Sequence, residues 1–168
     1  MNFNQSVRTV FSRYATFSGR ARRSEYWWFY LFLLIAGIVL GFFDGLIFGS
    51  QDTDPAPISA IFSLATFVPT IAVTARRLHD VERSGWWQIA PISVIFLTIL
   101  MVAIQAFILA FAAGAAAVVC VILLLVWTIR KGTHGPNEYG ADPLGGNSGP
   151  DDDDDMRRTW VPPVNRND

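Results

Sequence analysis

The segment ARRLHDVERSGWW (75–87) concentrates the residue types that do chemistry. His79 beside Asp80 is the pair that orients an imidazole in acyl-transfer catalysis, and Ser84 is the nearby hydroxyl. That chemistry also needs donors for an oxyanion, and nothing around Ser84 marks a nucleophile, so no catalytic residue is assigned. His79, Asp80 and His134 supply two imidazoles and a carboxylate, a set that suits zinc. They stand on separate loops and their spacing specifies no site; no metal or cofactor is expected. GTHGPNEYGADP (132–143) has the Gly, Pro, Asn and Asp of tight turns and lacks the G-x-x-x-x-G-K-[ST] of a phosphate loop.

The chemistry that remains is electrostatic. Arg22, Arg23, Arg76, Arg77 and Arg83 stand at the ends of apolar runs, interleaved with Glu25, His79, Asp80 and Glu82. Cations there orient a membrane protein and attract anionic headgroups at about 1 kcal/mol each. Topology calls for the arginines but not for the acids. The acids are therefore expected to pair with arginines across loops, tying the first three spans together, with the GPNEYG turn packed beneath them.

Membrane helices must hold these residues in place. Only 16% of the 168 residues are charged, against about 25% in soluble proteins. From Ser84 to Ile129 there are 46 residues without Asp, Glu, Lys or Arg, about twice a membrane span. The chain reads as an all-α integral membrane protein with four transmembrane helices, at about 26–48, 58–75, 86–109 and 113–129. Pro69 predicts a kink in the second. The small residues at Ala110–Gly114 predict the turn between the third and fourth. Phe3, Val7, Val10, Phe11 and Tyr14 recur at helical spacing beside Arg8 and Arg13, predicting a short N-terminal interfacial helix.

With four spans, all 13 basic residues fall on one side, which predicts that both termini are cytoplasmic. Trp27, Trp28, Trp86, Trp87 and Trp127 then all sit at cytoplasmic span ends, in the headgroup layer. Residues 1–131 carry ten basic and six acidic groups, residues 132–168 three and eight. A basic membrane domain (1–143) thus precedes an acidic tail (144–168), expected to be disordered, whose run Asp151–Asp155 has divalent cations or the basic loops as candidate ligands. The single Cys120 excludes an intramolecular disulfide, and the polar first 25 residues do not read as a secretory signal.

Three segments on that side, GRARRSEYWW (19–28), ARRLHDVERSGWW (75–87) and GTHGPNEYGADP (132–143), resemble in order and wording the YhaH-like family of small bacterial inner-membrane proteins, grouped as a domain of unknown function. The likeness covers residues 10–143. It implies a location in the bacterial plasma (inner) membrane and no particular activity. Two classes of function follow from the residues themselves. One is a non-enzymatic membrane module whose charged cytoplasmic face, Arg22, Arg23, Glu25, Arg76, Arg77, His79, Asp80, Glu82 and Arg83, binds anionic lipid headgroups or a partner protein. The alternative is a small transporter or channel formed by homo-oligomerisation, with Asp44 or Gln105 lining the path. Nucleic acid is not an expected partner.

Overall fold

The computed structural model describes residues 1–49 and 56–145. Among them all regular structure is helical: α1 (Phe3–Ser12), α2 (Arg23–Phe48), α3 (Pro57–His79), α4 (Ile89–Ala103, entered through a 3-10 turn at Gly85–Gln88) and α5 (Phe107–Ile129). The four long segments, of 26, 23, 19 and 23 residues, match the roughly 20 needed to cross a bilayer. Their outer faces are apolar and bare. Leu34, Ile38, Phe42 and Leu46 follow one another at intervals of four along α2, each 60–66% exposed. A row of that kind is unsustainable in water and ordinary against lipid. The acidic tail from residue 146 onward, with Asp151–Asp155, lies outside the described residues.

α3 is the hub. Pro57 starts it, where a missing N–H costs nothing, and Ala72 to Leu78 are all buried. α1 and α2 cover one side, and the start of α4 and the end of α5 cover others. The small Ala75 admits the α4 entrance so closely that a Cβ on Gly85 would lie 2.8 Å from the Ala75 Cβ. Thr66, Thr70 and Thr74 return their hydroxyls to carbonyls one turn back, at 2.6–2.8 Å, so none of these three hydroxyls lacks an acceptor.

Pro69 sits inside α3 and leaves the Ala65 carbonyl without its helical donor. The Tyr14 hydroxyl donates to that oxygen at 2.5 Å. The segment after α1 thus repairs the defect that proline makes. α1 itself lies against α2, with Val10 buried and Phe11 edge-on to Phe29 and Phe32. Its apolar stripe is therefore shared: protein buries Val10, while Phe11 and Tyr14 stay 37% and 40% exposed. Tyr14→Phe is expected to cost about 1–3 kcal/mol, the cost of an orphaned acceptor, measured by thermal unfolding in detergent. The loss should vanish in a Pro69→Ala background, where residue 69 regains its N–H; an equal loss in both backgrounds would refute the link.

The uncharged run divides at Ile104–Ala106 rather than at Ala110–Gly114. Alanine is the best helix former, so AFAAGAAA stays helical. Its small side chains serve helix packing instead: a Cβ on Gly114 would meet Thr98 Cγ2 at 3.8 Å. The turn is made by Gln105 at φ 60°. Its N–H reaches the Val102 carbonyl, and that of Ala106 the Met101 carbonyl, at 3.0 and 2.9 Å.

Candidate functional site

The candidate site is the charged end of the bundle, where the start of α2, the end of α3 and the end of α5 meet. α2 opens at Arg23 after Arg22 in extended conformation, and Glu25 falls in its first turn, where the helix dipole favours an acid. α3 brings Arg76 and Arg77 to the same level in its last turn. Consecutive residues point about 100° apart on a helix, so the two arginines serve different partners. Arg76 turns to α2, its Nη1 2.7 Å from Glu25 Oε1, and its own carbonyl accepts from the Ala21 N–H at 3.0 Å. Arg77 turns to α5. Its Nε donates to the Thr128 carbonyl at 3.0 Å and its Nη2 to the Arg130 carbonyl, satisfying the orphan acceptors of a helix end.

Asp80 joins these pieces. Its Oδ2 accepts from Arg77 Nη1, and its Oδ1 accepts from Arg20 Nε at 2.9 Å. Arg20 then reaches on to the carbonyls of Gly135 and Thr133 at 2.6 and 2.5 Å. The Asp80 carbonyl accepts from the Thr133 N–H at 2.9 Å. Asp80 is 4% exposed, and Arg76 and Arg77 are fully buried. Gly132 passes so close that any Cβ there would overlap the Asp80 carboxylate.

The segment after α5 folds back beneath this layer. His79 stacks on Tyr139, rings 4.0 Å apart and 7° from parallel, while its Nδ1 lies 3.1 Å from the Gly19 carbonyl. Asn137 donates to the His79 carbonyl and to Thr133 Oγ1, both at 3.0 Å. Asp142 accepts from the N–H groups of Leu144 and Gly135, which hold its carboxyl below the ordinary carboxylate value.

Of the nine residues expected in the charged layer, Glu25, Arg76, Arg77 and Asp80 meet in ion pairs, and His79 joins by stacking. Glu82 does not pair among the described residues. It is exposed at φ 57° in the turn that ends α3, where its N–H reaches the His79 carbonyl at 3.1 Å and that of Arg83 the Leu78 carbonyl at 2.9 Å. This is the hydrogen-bond pattern that closes a helix with a left-handed residue. The turn's geometry, not an ion pair, fixes Glu82. Arg83 lies 5.2 Å over the Trp127 ring. The clasp thus reaches the fourth span rather than the third, because the carbonyls that need a cation are those ending α5.

Arg20 is the residue the sequence reading passed over. It stands two positions ahead of the Arg22–Arg23 pair and beyond what a span end needs, and that surplus was its signal. Ser84 Oγ accepts from the Trp86 N–H at 3.4 Å. No group of three His, Cys, Asp or Glu able to hold a metal ion occurs among the described residues.

Arg22, Arg23 and Lys131 remain, with no acidic partner among the described residues. They line a cavity of about 500 Å³ with Ser24, His134, Asp142 and Leu144, floored by the Arg20–Asp80 pair; the Asp142 carboxylate is taken up by the N–H groups of Gly135 and Leu144.

Four apolar helices closed at one end by a buried ion-pair layer define a multi-pass helical membrane protein. The chain belongs to the family described as Protein of unknown function (DUF805), which matches residues 14–141. It is 31% identical over 134 residues to Inner membrane protein YhaH of Escherichia coli (strain K12), covering 80% of this chain and 92% of that one. It is 36% identical over 141 residues to Inner membrane protein YhaI of the same strain, covering 83% and 96%. No solved structure matches it. The resemblance in its three charged segments is thereby borne out, and the chain is a multi-pass inner-membrane protein.

Proposed function

We propose that this protein is a non-enzymatic membrane module whose charged face lies on the cytoplasmic side, with both termini, and binds the anionic headgroup of a lipid. The observation that carries the reading is the contrast between two groups of three cations at the charged end. Arg20, Arg76 and Arg77 are consumed inside the fold, whereas Arg22, Arg23 and Lys131 gather around one cavity at the helix ends, the level of the headgroup layer. The side chains that hydrolytic chemistry would recruit have structural partners: the Asp80 oxygens accept from two arginines, His79 Nδ1 lies at the Gly19 carbonyl and Ser84 Oγ accepts from the Trp86 N–H. The residues named for a pore also have structural roles in the fold. Both oxygens of Asp44 accept N–H groups that start α3, from Ile58 at 3.0 Å and Ser59 at 2.7 Å, and Gln105 forms a turn.

Native mass spectrometry from mild detergent is expected to retain phosphatidylglycerol in preference to phosphatidylcholine. At about 1 kcal/mol per cation, replacing Arg22, Arg23 and Lys131 together with alanine should weaken that retention roughly 100-fold. Equal retention of the two lipids by the unaltered protein would overturn the reading. Co-purification of a protein in the lipid's place would favour a protein partner.

A further inference from the structure

The cavity has a second anion within reach, and it belongs to the same chain. Leu144 lines the cavity and the described residues end at Gly145. Six residues later begins Asp151–Asp155, five consecutive carboxylates. Six residues span at most about 20 Å, so the run starts within reach of the cations at whose edge the described chain ends. The charges are complementary. Arg22, Arg23 and Lys131 line the cavity and form no ion pair among the described residues. Its two carboxylates are held by other groups, Asp80 by Arg20 and Arg77 and Asp142 by the N–H groups of Gly135 and Leu144. Residues through 131 carry a basic excess, and those after it an acidic one. An anionic membrane surface repels a carboxylate run unless cations hold it. A short tether also keeps its local concentration in about the millimolar range.

We propose that Asp151–Asp155 docks on Arg22, Arg23 and Lys131 and competes there with anionic headgroups. The competition rests on the lipid reading above; the docking does not. An acidic run docked about nine-tenths of the time leaves one-tenth of the sites open and lowers the apparent lipid affinity tenfold. Anionic lipid at high density displaces the run, and a zwitterionic surface leaves it in place.

Lys131 is the only lysine in the chain, which makes one experiment direct. The full-length protein in neutral detergent is treated with a zero-length carbodiimide, which joins the lysine amine to a touching carboxylate as an amide and leaves as the urea, and the product is mapped by mass spectrometry. A Lys131 cross-link to the 151–155 run is expected. It should fade at about 1 M salt, where the screening length falls to ~3 Å, and be lost in Lys131→Arg. Cross-linking of Lys131 to Asp142 alone would overturn docking. Separately, changing the five aspartates to asparagine is expected to raise affinity for phosphatidylglycerol vesicles about tenfold. The cross-link without binding of either form to those vesicles would sustain docking and defeat the lipid reading. Vesicle binding with no cross-link and unchanged affinity would defeat docking and leave the lipid reading standing.

Discussion

Asp80→Ala is expected to cost about 3–5 kcal/mol of stability, the range for removing one partner of a buried ion pair. The carboxylate stands between two buried guanidinium groups, those of Arg20 and Arg77, so its removal leaves two cations opposed where water barely reaches. Asp80→Asn should lie nearly as low, since the amide keeps the volume and loses the charge. Glu82→Ala, two residues away but exposed, should fall within about 0.5 kcal/mol of the parent. The same layer predicts a steric effect. Gly132→Ala would drive a methyl into the Asp80 carboxylate, and that carboxylate is pinned from both sides. The backbone after α5 must then move, pulling Thr133 from Arg20. Thermal unfolding in detergent for all four variants provides the test. Asp80→Ala within 1 kcal/mol of Glu82→Ala would remove the carboxylate from its place in the clasp.

What the sequence made legible and what it hid follow from the range of the interactions. Four spans and the grouping of the charged segments are written in composition and charge placement, which act residue by residue. The two turns placed or read wrongly share one cause. α3 and α4 both end in left-handed turns, but with Glu82 and Gln105 where glycine is usual. Without that glycine the turn after α4 gave no signal, and Gly114, which serves close packing, took its place. At Glu82 an acid beside arginines read as an ion-pair partner when its backbone was the part in use. Arg20 was hidden differently. Its partners are the Asp80 carboxylate and the carbonyls of Thr133 and Gly135, 60 to 115 residues further along the chain. Carbonyls have no sequence identity, so only the fold reveals that a cation is needed to meet them.

The pair between Glu25 and Arg76 separates what holds the fold together from what makes it unique. Each single change, Glu25→Ala or Arg76→Ala, is expected to cost about 3–5 kcal/mol, because each strands a buried charge. The double change should cost less than the sum by about 2–3 kcal/mol, the upper range for residues in direct contact. The asymmetry lies in the partners that remain. Glu25→Ala leaves a fully buried guanidinium whose Nε and Nη2 already lack acceptors, whereas Arg76→Ala leaves a carboxylate in the first turn of α2, at the favourable end of the helix dipole. Glu25→Ala should therefore be the worse of the two. An apolar pair, Glu25→Leu with Arg76→Met, is expected to recover most of the parent stability, as buried ion pairs often yield to packed apolar groups without loss. What the apolar pair cannot supply is direction. One carboxylate and one guanidinium meet in a single register of α2 against α3, and Arg77 and Asp80 are aimed from that register toward Arg20 and α5. The apolar variant should unfold near the parent temperature but show increased hydrogen exchange at the N–H groups of Thr133 and Gly135. These donate to the Asp80 carbonyl and the Asp142 carboxylate and are held in place when Arg20 binds the carbonyls of the same two residues. Singles that add strictly, or an apolar pair with unchanged exchange, would reduce Glu25–Arg76 to a local contact with no part in aligning the layer.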